Sequence, residues 1–430
     1  MSGARPLRVV VIGAGVAGGA FALRLAQQAG QRVKILLLER AAWPRSKVCG
    51  CCLNEAALEC LDELGLGEAC RDRGAPVNAV RLIAPGRSAT VAKRPGLALL
   101  RSELDVLLVD HACALGVRFE SQSAGAVSSA PIDHQSPVEV RVRTPAGDRT
   151  IEADVVIAGD GLGAASVAEM PEFAETIHAG ARFGVGGALP AHASGEAAHP
   201  ARGVIDMHVG RHGYVGLVRL RDESVNLAAA LDPAWTRTQG GPAPAMTTII
   251  REAGSNIDLS LMAIRGTPLL TRRRALVASR RVLLIGDSAG YVEPFTGEGM
   301  AWGLAGALRC AEMVCAEVIA GRREHWSVAL CDEWNRWHRH DIVSRQRACA
   351  RLKPLLRSPL VTRVFLGTMD RLPLARAVAS KVARHLERSY FPRAALASVS
   401  TGANKPWRVA GSANEPRAHA LRTEEPRVMT

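Results

Sequence analysis

Aromatic residues are scarce: phenylalanine, tryptophan and tyrosine together make up 4% of the 430 residues. A protein that stacks successive nucleobases needs more of them, so no nucleic-acid partner is expected. Long apolar runs are missing as well. The longest uncharged stretch, residues 9–23, holds 15 residues, whereas a membrane-spanning helix needs about 20. It follows Arg5 and Arg8, as a signal peptide would. Its glycines at 13, 15, 18 and 19 suit a tight turn better than a secretory helix. The expectation is a cytoplasmic protein. Its ten cysteines, in a chain too long for a small disulfide scaffold, are then expected to stay reduced.

Apolar residues make up 48% of the chain and charged ones 22%, the balance of an ordinary globular protein. The length suggests two or three units sharing a core. The net charge is +13, with the excess mostly in the C-terminal third. Such a balance suits an anionic cofactor, anionic lipid or nucleic acid. It is equally common in arginine-rich proteins without a polyanionic partner.

The densest signal is "LRVVVIGAGVAGGAFALRLAQQAGQRVKILLLER", residues 7–40. Residues 7–12 form a short apolar run of strand length. Gly13, Gly15 and Gly18 follow in G-x-G-x-x-G spacing. A helix is predicted over residues 16–29 with Gly30 as its stop, then a second buried strand over 33–38, closed by Glu39 and Arg40. Gly13 allows the sharp turn, Gly15 lets the backbone approach a pyrophosphate, and Gly18 lets the helix pack on the sheet. The helix N-terminus offers free N–H groups to phosphates. Glu39 stands where an acid accepts from a ribose diol, which argues against a 2′-phosphate there. The motif fits NAD or FAD and does not choose between them.

Two later motifs choose. "ADVVIAGDGLGAASVAE", residues 153–169, is an apolar strand ending in Asp160 and Gly161. "RRVLLIGDSAGYVEPFTGEGMAWGLAGALRCAEMV", residues 280–314, ends a strand in Gly286 and Asp287 and continues through a P-x-x-G-x-G loop, Pro294 to Gly299, into a helix. With all three motifs in order, residues 7–320 resemble FAD-dependent oxidoreductases of the para-hydroxybenzoate hydroxylase fold, the geranylgeranyl reductase and flavin monooxygenase branches above all. The resemblance implies an α/β protein: a Rossmann-type FAD-binding domain, a smaller antiparallel β-sheet substrate domain and C-terminal helices. It implies FAD as cofactor and NADH or NADPH as a transient donor. Asp287 would hold the ribityl chain. The helix start around Gly297, Gly299 and Met300 would face the flavin pyrimidine edge, where its dipole stabilises negative charge. Arg101, in an R-x-x-L-D pattern, would lie near the FAD phosphates and ribose. Asp160 would couple the pyrophosphate to NAD(P)H binding, although a strand-end Asp-Gly is also an ordinary turn.

The three closely spaced cysteines lie in "PRSKVCGCCLN", residues 44–54. A structural zinc site needs about four ligands, usually in two pairs. No second pair or histidine is near, so no metal is expected. Cys49 and Cys52 form a C-x-x-C, which raises a redox dithiol, but the segment does not follow a thioredoxin-like strand. The families resembled have a P-R-x-K-x-C-G loop beside the flavin ring, matched here by Arg45, Lys47, Cys49 and Gly50. Cys49 would wall the flavin and Gly50 would allow close backbone approach. Asn54 reads as the N-cap of a helix over 55–64 ended by Gly65.

Hairpins are predicted over residues 77–95 and 137–152, the second turning at "PAGD". Residues 176–278 read as short strands with loops, a sheet roofing the flavin. Polyprenyl reductases have Y-x-W-x-F-P where this chain has Tyr214-Val-Gly-Leu-Val, a departure that argues against prenyl-chain reduction. Tyr214 is a candidate substrate contact. Related halogenases carry W-x-W-x-I-P, and no two tryptophans here are one residue apart. After residue 325 the chain is helical and basic. Those helices suit either an anionic membrane surface or a cover for the FAD domain, and the cover is the favoured reading. The domain map is 1–175 and 279–325 for FAD, 176–278 for substrate, 326–395 helical and 396–430 a disordered tail.

The expected activity is NAD(P)H-dependent hydroxylation of an aromatic or lipophilic, polyketide- or quinone-like small molecule. The alternative is reduction of double bonds on a prenyl lipid or quinone side chain. A non-catalytic flavin module meeting a membrane or partner is a third reading, and the intact "PFTGEGM" loop argues against it.

Overall fold

Two sheets dominate the fold, and their side-chain patterns differ. The computed structural model describes residues 5–132, 136–191, 200–293, 297–321, 326–351 and 359–371. In the first sheet Leu7–Ile12 lies between Val33–Leu38 and Val155–Ala158, parallel to both. Val282–Leu284 and Arg118–Glu120 extend it in parallel, and Ala278–Ser279 adds an antiparallel edge. These strands are nearly continuous apolar runs because both of their faces are covered. Helix Val16–Ala29 packs between Arg101–Ala114 and Gly299–Ala320. A meander of Ala124–Ser129, Val138–Thr144 and Gly147–Ala153 sets its Gly125 against Ile12 and Leu38.

The second sheet has eight strands. Its order is Arg265–Leu269, Phe183–Leu189, Val225–Leu231, Gly213–Arg219, Val204–Gly210, Ala75–Ala84, Arg87–Ala98 and Cys52–Leu53. All pairs are antiparallel except Val204–Gly210 with Ala75–Ala84. Alternation sends Val185, Val215, Leu217 and Leu227 to one face, where helix Pro242–Glu252 buries Met246, Ile249 and Ile250 against them. Each such buried side chain contributes about 1.5–3 kcal/mol. The opposite face is lined by smaller residues and looks toward the first sheet.

Three features differ from the sequence reading. The hairpin near 77–95, mapped with residues 1–175, pairs into the larger sheet through Val204–Gly210. Such long-range pairing leaves no local signal. Residues 176–278, read as strands and loops, also hold helices Pro233–Thr238 and Pro242–Glu252. Asp232 caps the first of them by accepting from Trp235 N at 3.0 Å. The basic C-terminal helices divide their work. Trp326–Trp337 covers the FAD-type sheet: Trp334 Nε1 donates to Leu284 O at 3.1 Å, and Asn335 Oδ1 accepts from Val277 N and Ala278 N at 2.8 and 3.0 Å. Pro359–Arg371 instead lies on the larger sheet, with Leu366 fully buried beside Leu82 and Ala89. His338–Val343 and Ser344–Ala350 continue the first of these helices, while residues 352–358 and 372–430, the expected 396–430 tail included, lie outside the described residues. Among the described residues no helix is long and apolar enough to cross a membrane.

Candidate active site

The first turn of the chain builds an anion cradle. Gly13 has φ +99°, and a Cβ there would stand 2.5 Å from Gly159 O. A Cβ on Gly18 would stand 1.9 Å from Gly13 O. Only glycine therefore lets this strand, turn and helix close. Helix Val16–Ala29 starts at Gly15 without a side-chain cap, so its first N–H groups remain open to a ligand. Two guanidinium groups face the same point: a Cβ on Gly15 would be 3.3 Å from Arg45 Nη2 and 3.4 Å from Arg101 Nη2.

Carboxylates fix those arginines. Buried Asp105 accepts from Arg101 Nε and Nη2 at 3.0 and 2.9 Å and from Arg45 Nη1 at 3.1 Å. Arg45 Nε also stands 2.8 Å from Glu39 Oε2. Glu39 is buried and accepts from Ala14 N and Ala41 N at 3.3 and 3.1 Å. Asp105 went unremarked as a site residue, although the R-x-x-L-D spacing places it one helical turn after Arg101.

A single cleft of about 1480 Å³, its solvent mouth included, runs along the seam between the two sheets. Gly15, Lys47, Cys49, Gly50, Arg101 and Tyr214 line it. So do Gly286, Asp287, Gly297, Gly299 and Met300. Lys47 Nζ and Asp287 Oδ2 face each other across it at 3.6 Å. Gly13, Gly18 and Glu39 lie behind the wall, and Arg40 is exposed. Asp160 accepts from Ser166 N and Oγ at 3.0 and 2.8 Å, so it shapes the turn that sets Gly161 on the wall. Pro294 lies outside the described residues. Tyr291, which the sequence reading passed over, lines the cleft too. The chain has three tyrosines, and two of them meet here. Their concentration in an aromatic-poor chain is the signal that was available.

The three cysteines form one side of this cleft. Their loop is strapped to the larger sheet: Asn226 Nδ2 donates to Cys49 O at 3.1 Å, and Cys52–Leu53 pairs with Leu97 and Ala98. Cys51 sits at φ +57°, where its N–H approaches Cys49 Sγ at 3.4 Å. The hydrogen bond from the Cys51 thiol, then the charge of Arg101, and less strongly the Cys51 N–H and the charge of Lys47, lower the Cys49 thiol to about 6. Burial raises Cys52 to about 12, and Cys51 is raised first by the hydrogen bond its thiol donates to Cys49 and then by burial. All ten cysteines are free. No group of three or more His, Cys, Asp or Glu among the described residues could hold a metal ion.

Residues 6–330 match the family described as FAD binding domain. The chain belongs to that family. It is an FAD-dependent oxidoreductase. Geranylgeranyl diphosphate reductase of the Nicotiana tabacum chloroplast is 24% identical over 335 residues, spanning 74% of this chain and 68% of the relative. Among solved structures, the flavin-dependent halogenase CmlS aligns with a TM-score of 0.64 at 20% identity, over 79% of this chain. This chain spans 63% of that halogenase. The tetrameric form of 2-methyl-3-hydroxypyridine-5-carboxylic acid oxygenase aligns with a TM-score of 0.62 at 19% identity, over 83% of this chain and 94% of its own. At these identities the structural likeness establishes the para-hydroxybenzoate hydroxylase-like fold alone.

The residues present fit FAD. The cradle that a Cβ at position 13 or 18 would fill, the uncapped helix start, and the guanidinium groups of Arg45 and Arg101 suit a pyrophosphate. Asp287 offers acceptors for hydroxyl groups further along. The start of helix Gly299–Ala320 presents N–H groups at the end of the cleft where Lys47 and Cys49 lie.

Proposed function

We propose that this oxidoreductase is an NAD(P)H-using monooxygenase that hydroxylates a neutral aromatic or lipophilic small molecule of quinone or polyketide type. The observation that carries this reading is the roof of the cleft. Ile205, Met207, Val218 and Leu270 line it beside Tyr214, with the small residues Gly216, Ala228 and Ala230 between strands. Among the described residues that line this roof there is no acid, base or cation, and the nearby guanidinium of Arg182, 5.9 Å from the centre of the Tyr214 ring, is paired with Glu293. The roof suits an uncharged ring or chain and excludes water. Bound FAD supplies the redox and oxygen chemistry. The chain's own residues then need only to bind, orient and desolvate the substrate. Tyr214 is the candidate to orient it, and Lys47 and Asp287 mark the cofactor end.

Reduction of a double bond is the second reading, supported by the tobacco relative's name and by Cys49 on the wall. The Cys51 hydrogen bond and the charge of Arg101 lower this thiol, so less of it is protonated and it is a weaker proton donor for that reaction. Location in the cytoplasm belongs to the same proposal, supported by the lack of a long apolar run. Exposed Val361 and Val364 on helix Pro359–Arg371 are apolar positions through which a membrane contact would run.

Reoxidation kinetics test the proposal. The protein is reduced anaerobically with NADPH, mixed with oxygen, and followed by its flavin spectrum with and without phenolic ligands. Hydroxylation predicts a transient spectrum, distinct from oxidised and reduced flavin, that a ligand prolongs. A single slow phase, together with NADPH-driven saturation of a prenyl side chain, would replace this reading with the reductase.

A further inference from the structure

A second cleft, of about 700 Å³ with its mouth included, lies between strand Arg272–Arg274 and the helical segment His338–Ala350. Arg273, Arg339 and Arg347 line it, with Arg274, His338 and Gln346. Glu175 neutralises Arg274 at 3.0 Å. Among the described residues, Arg273, Arg339 and Arg347 have no carboxylate within ion-pair distance and no hydrogen-bond acceptor for their side chains. No acidic residue among the described ones lines the cleft. Residues 338–343 are a π-helix, a form that recurs at functional sites. Arg339 and Val343 of this π-helix and Arg347 of the α-helix Ser344–Ala350 that continues it all line the cleft. A narrow gap lined by Asp287, Tyr291, Trp302, His338 and Gln346 leads from this cleft toward the flavin cleft. Trp302 Nε1, buried in that gap, has no acceptor among the described residues. The three arginines give the cleft itself an excess of donors.

We propose that this arginine cleft binds a phosphate-bearing anion. Three arginines, exposed to solvent, on the lining of one cleft make a positive field that a counter-charge relieves. Their planar forks match phosphate oxygens in bidentate pairs. Three cations call for a ligand with more charge than one carboxylate carries. The phosphate or diphosphate of a nicotinamide nucleotide has this chemistry, and so does a free or lipid-linked diphosphate. The proposal does not depend on which reaction the flavin cleft performs.

Calorimetric titration of the flavin-loaded protein tests it, with inorganic pyrophosphate and adenosine 2′,5′-bisphosphate as probes. The wild type binds pyrophosphate. Arg339→Gln with Arg347→Gln weakens that binding about tenfold or more, the loss expected when charged hydrogen bonds are removed. Arg273→Gln, on a separate element, weakens it in the same sense. Flavin content and melting temperature stay at wild-type values, and Arg339→Lys with Arg347→Lys falls between the wild type and the glutamine variant, because the charge remains and the bidentate fork is lost. Competition between the two probes, with a raised KM for NADPH in the glutamine variants, assigns the phosphate to the nucleotide. Binding of pyrophosphate with an unmoved KM for NADPH assigns it to another diphosphate. No pyrophosphate binding by the wild type, or binding that these substitutions leave unchanged, overturns the proposal.

Discussion

Along the flavin cleft, the end at Gly15, Arg101 and Asp287 is polar and charge-paired, while the end at Ile205, Met207 and Tyr214 is apolar. The polar end rests on backbone that tolerates one residue type: Gly13 and Gly18 touch neighbouring main chain. The apolar end rests on side-chain volume, which strands of a sheet can exchange without changing their path. A fixed cofactor needs fixed backbone. A substrate pocket needs only the right space.

The largest effect should come from breaking the polar end. Gly13→Ala combines a strained φ with a contact at 2.5 Å to Gly159 O. The overpacking alone costs about 1–3 kcal/mol, and the left-handed backbone adds to it. We expect most bound FAD to be lost, read as the flavin-to-protein absorbance ratio. Gly86→Ala is the control. It has φ +70° and nothing within 4 Å, so it should cost about 1 kcal/mol and keep its flavin. Equal losses in the two variants would show that the cradle's tightness is not what holds the cofactor.

The same contrast governs what the sequence made legible. Gly13, Gly15, Gly18 and Asp287 stand at fixed spacing inside strand–turn–helix units, so local pattern exposed them. Asn54 and its helix were readable because a cap acts over three residues: its Oδ1 accepts from Ala57 N at 3.0 Å. Helix Pro242–Glu252 had comparable signals in Gly241 and an N-terminal proline, and the surrounding strands obscured them. The roof was not legible. Met207 faces Gly216, and Gly216 faces Ala228, only through register across three strands. The cleft between Arg273 and Arg347 joins residues 74 positions apart.

An intermediate effect should come from the roof. Gly186, Ala228 and Gly216 lie side by side in the sheet. Ala228→Leu would fill the space above the flavin end. Each added methylene in a specificity pocket shifts discrimination by about 1–3 kcal/mol. We expect kcat/KM for a bulky substrate to fall about tenfold or more, with flavin content unchanged. Loss of flavin from this variant would mean that roof and cradle are one structure, and the comparison would fail.

The smallest effect, and the sharpest, concerns Cys49, which stands where the two ends meet. Its thiol is lowered to about 6, first by the hydrogen bond from Cys51 and then by Arg101 and Lys47. Exposed Cys113 is pushed the other way by burial of its thiol and by Asp110. Only the thiolate reacts with iodoacetamide. Mapped alkylation of Cys49 should therefore rise through a midpoint near pH 6, while Cys113 responds only at alkaline pH. Cys51→Ala should raise the Cys49 midpoint more than Lys47→Met does, because the hydrogen bond outweighs the more distant charge. If Cys49 instead titrates with Cys113, it is protonated at neutral pH. The double-bond reductase would then regain an acid on the wall of its pocket, and Cys49 would no longer separate the two readings.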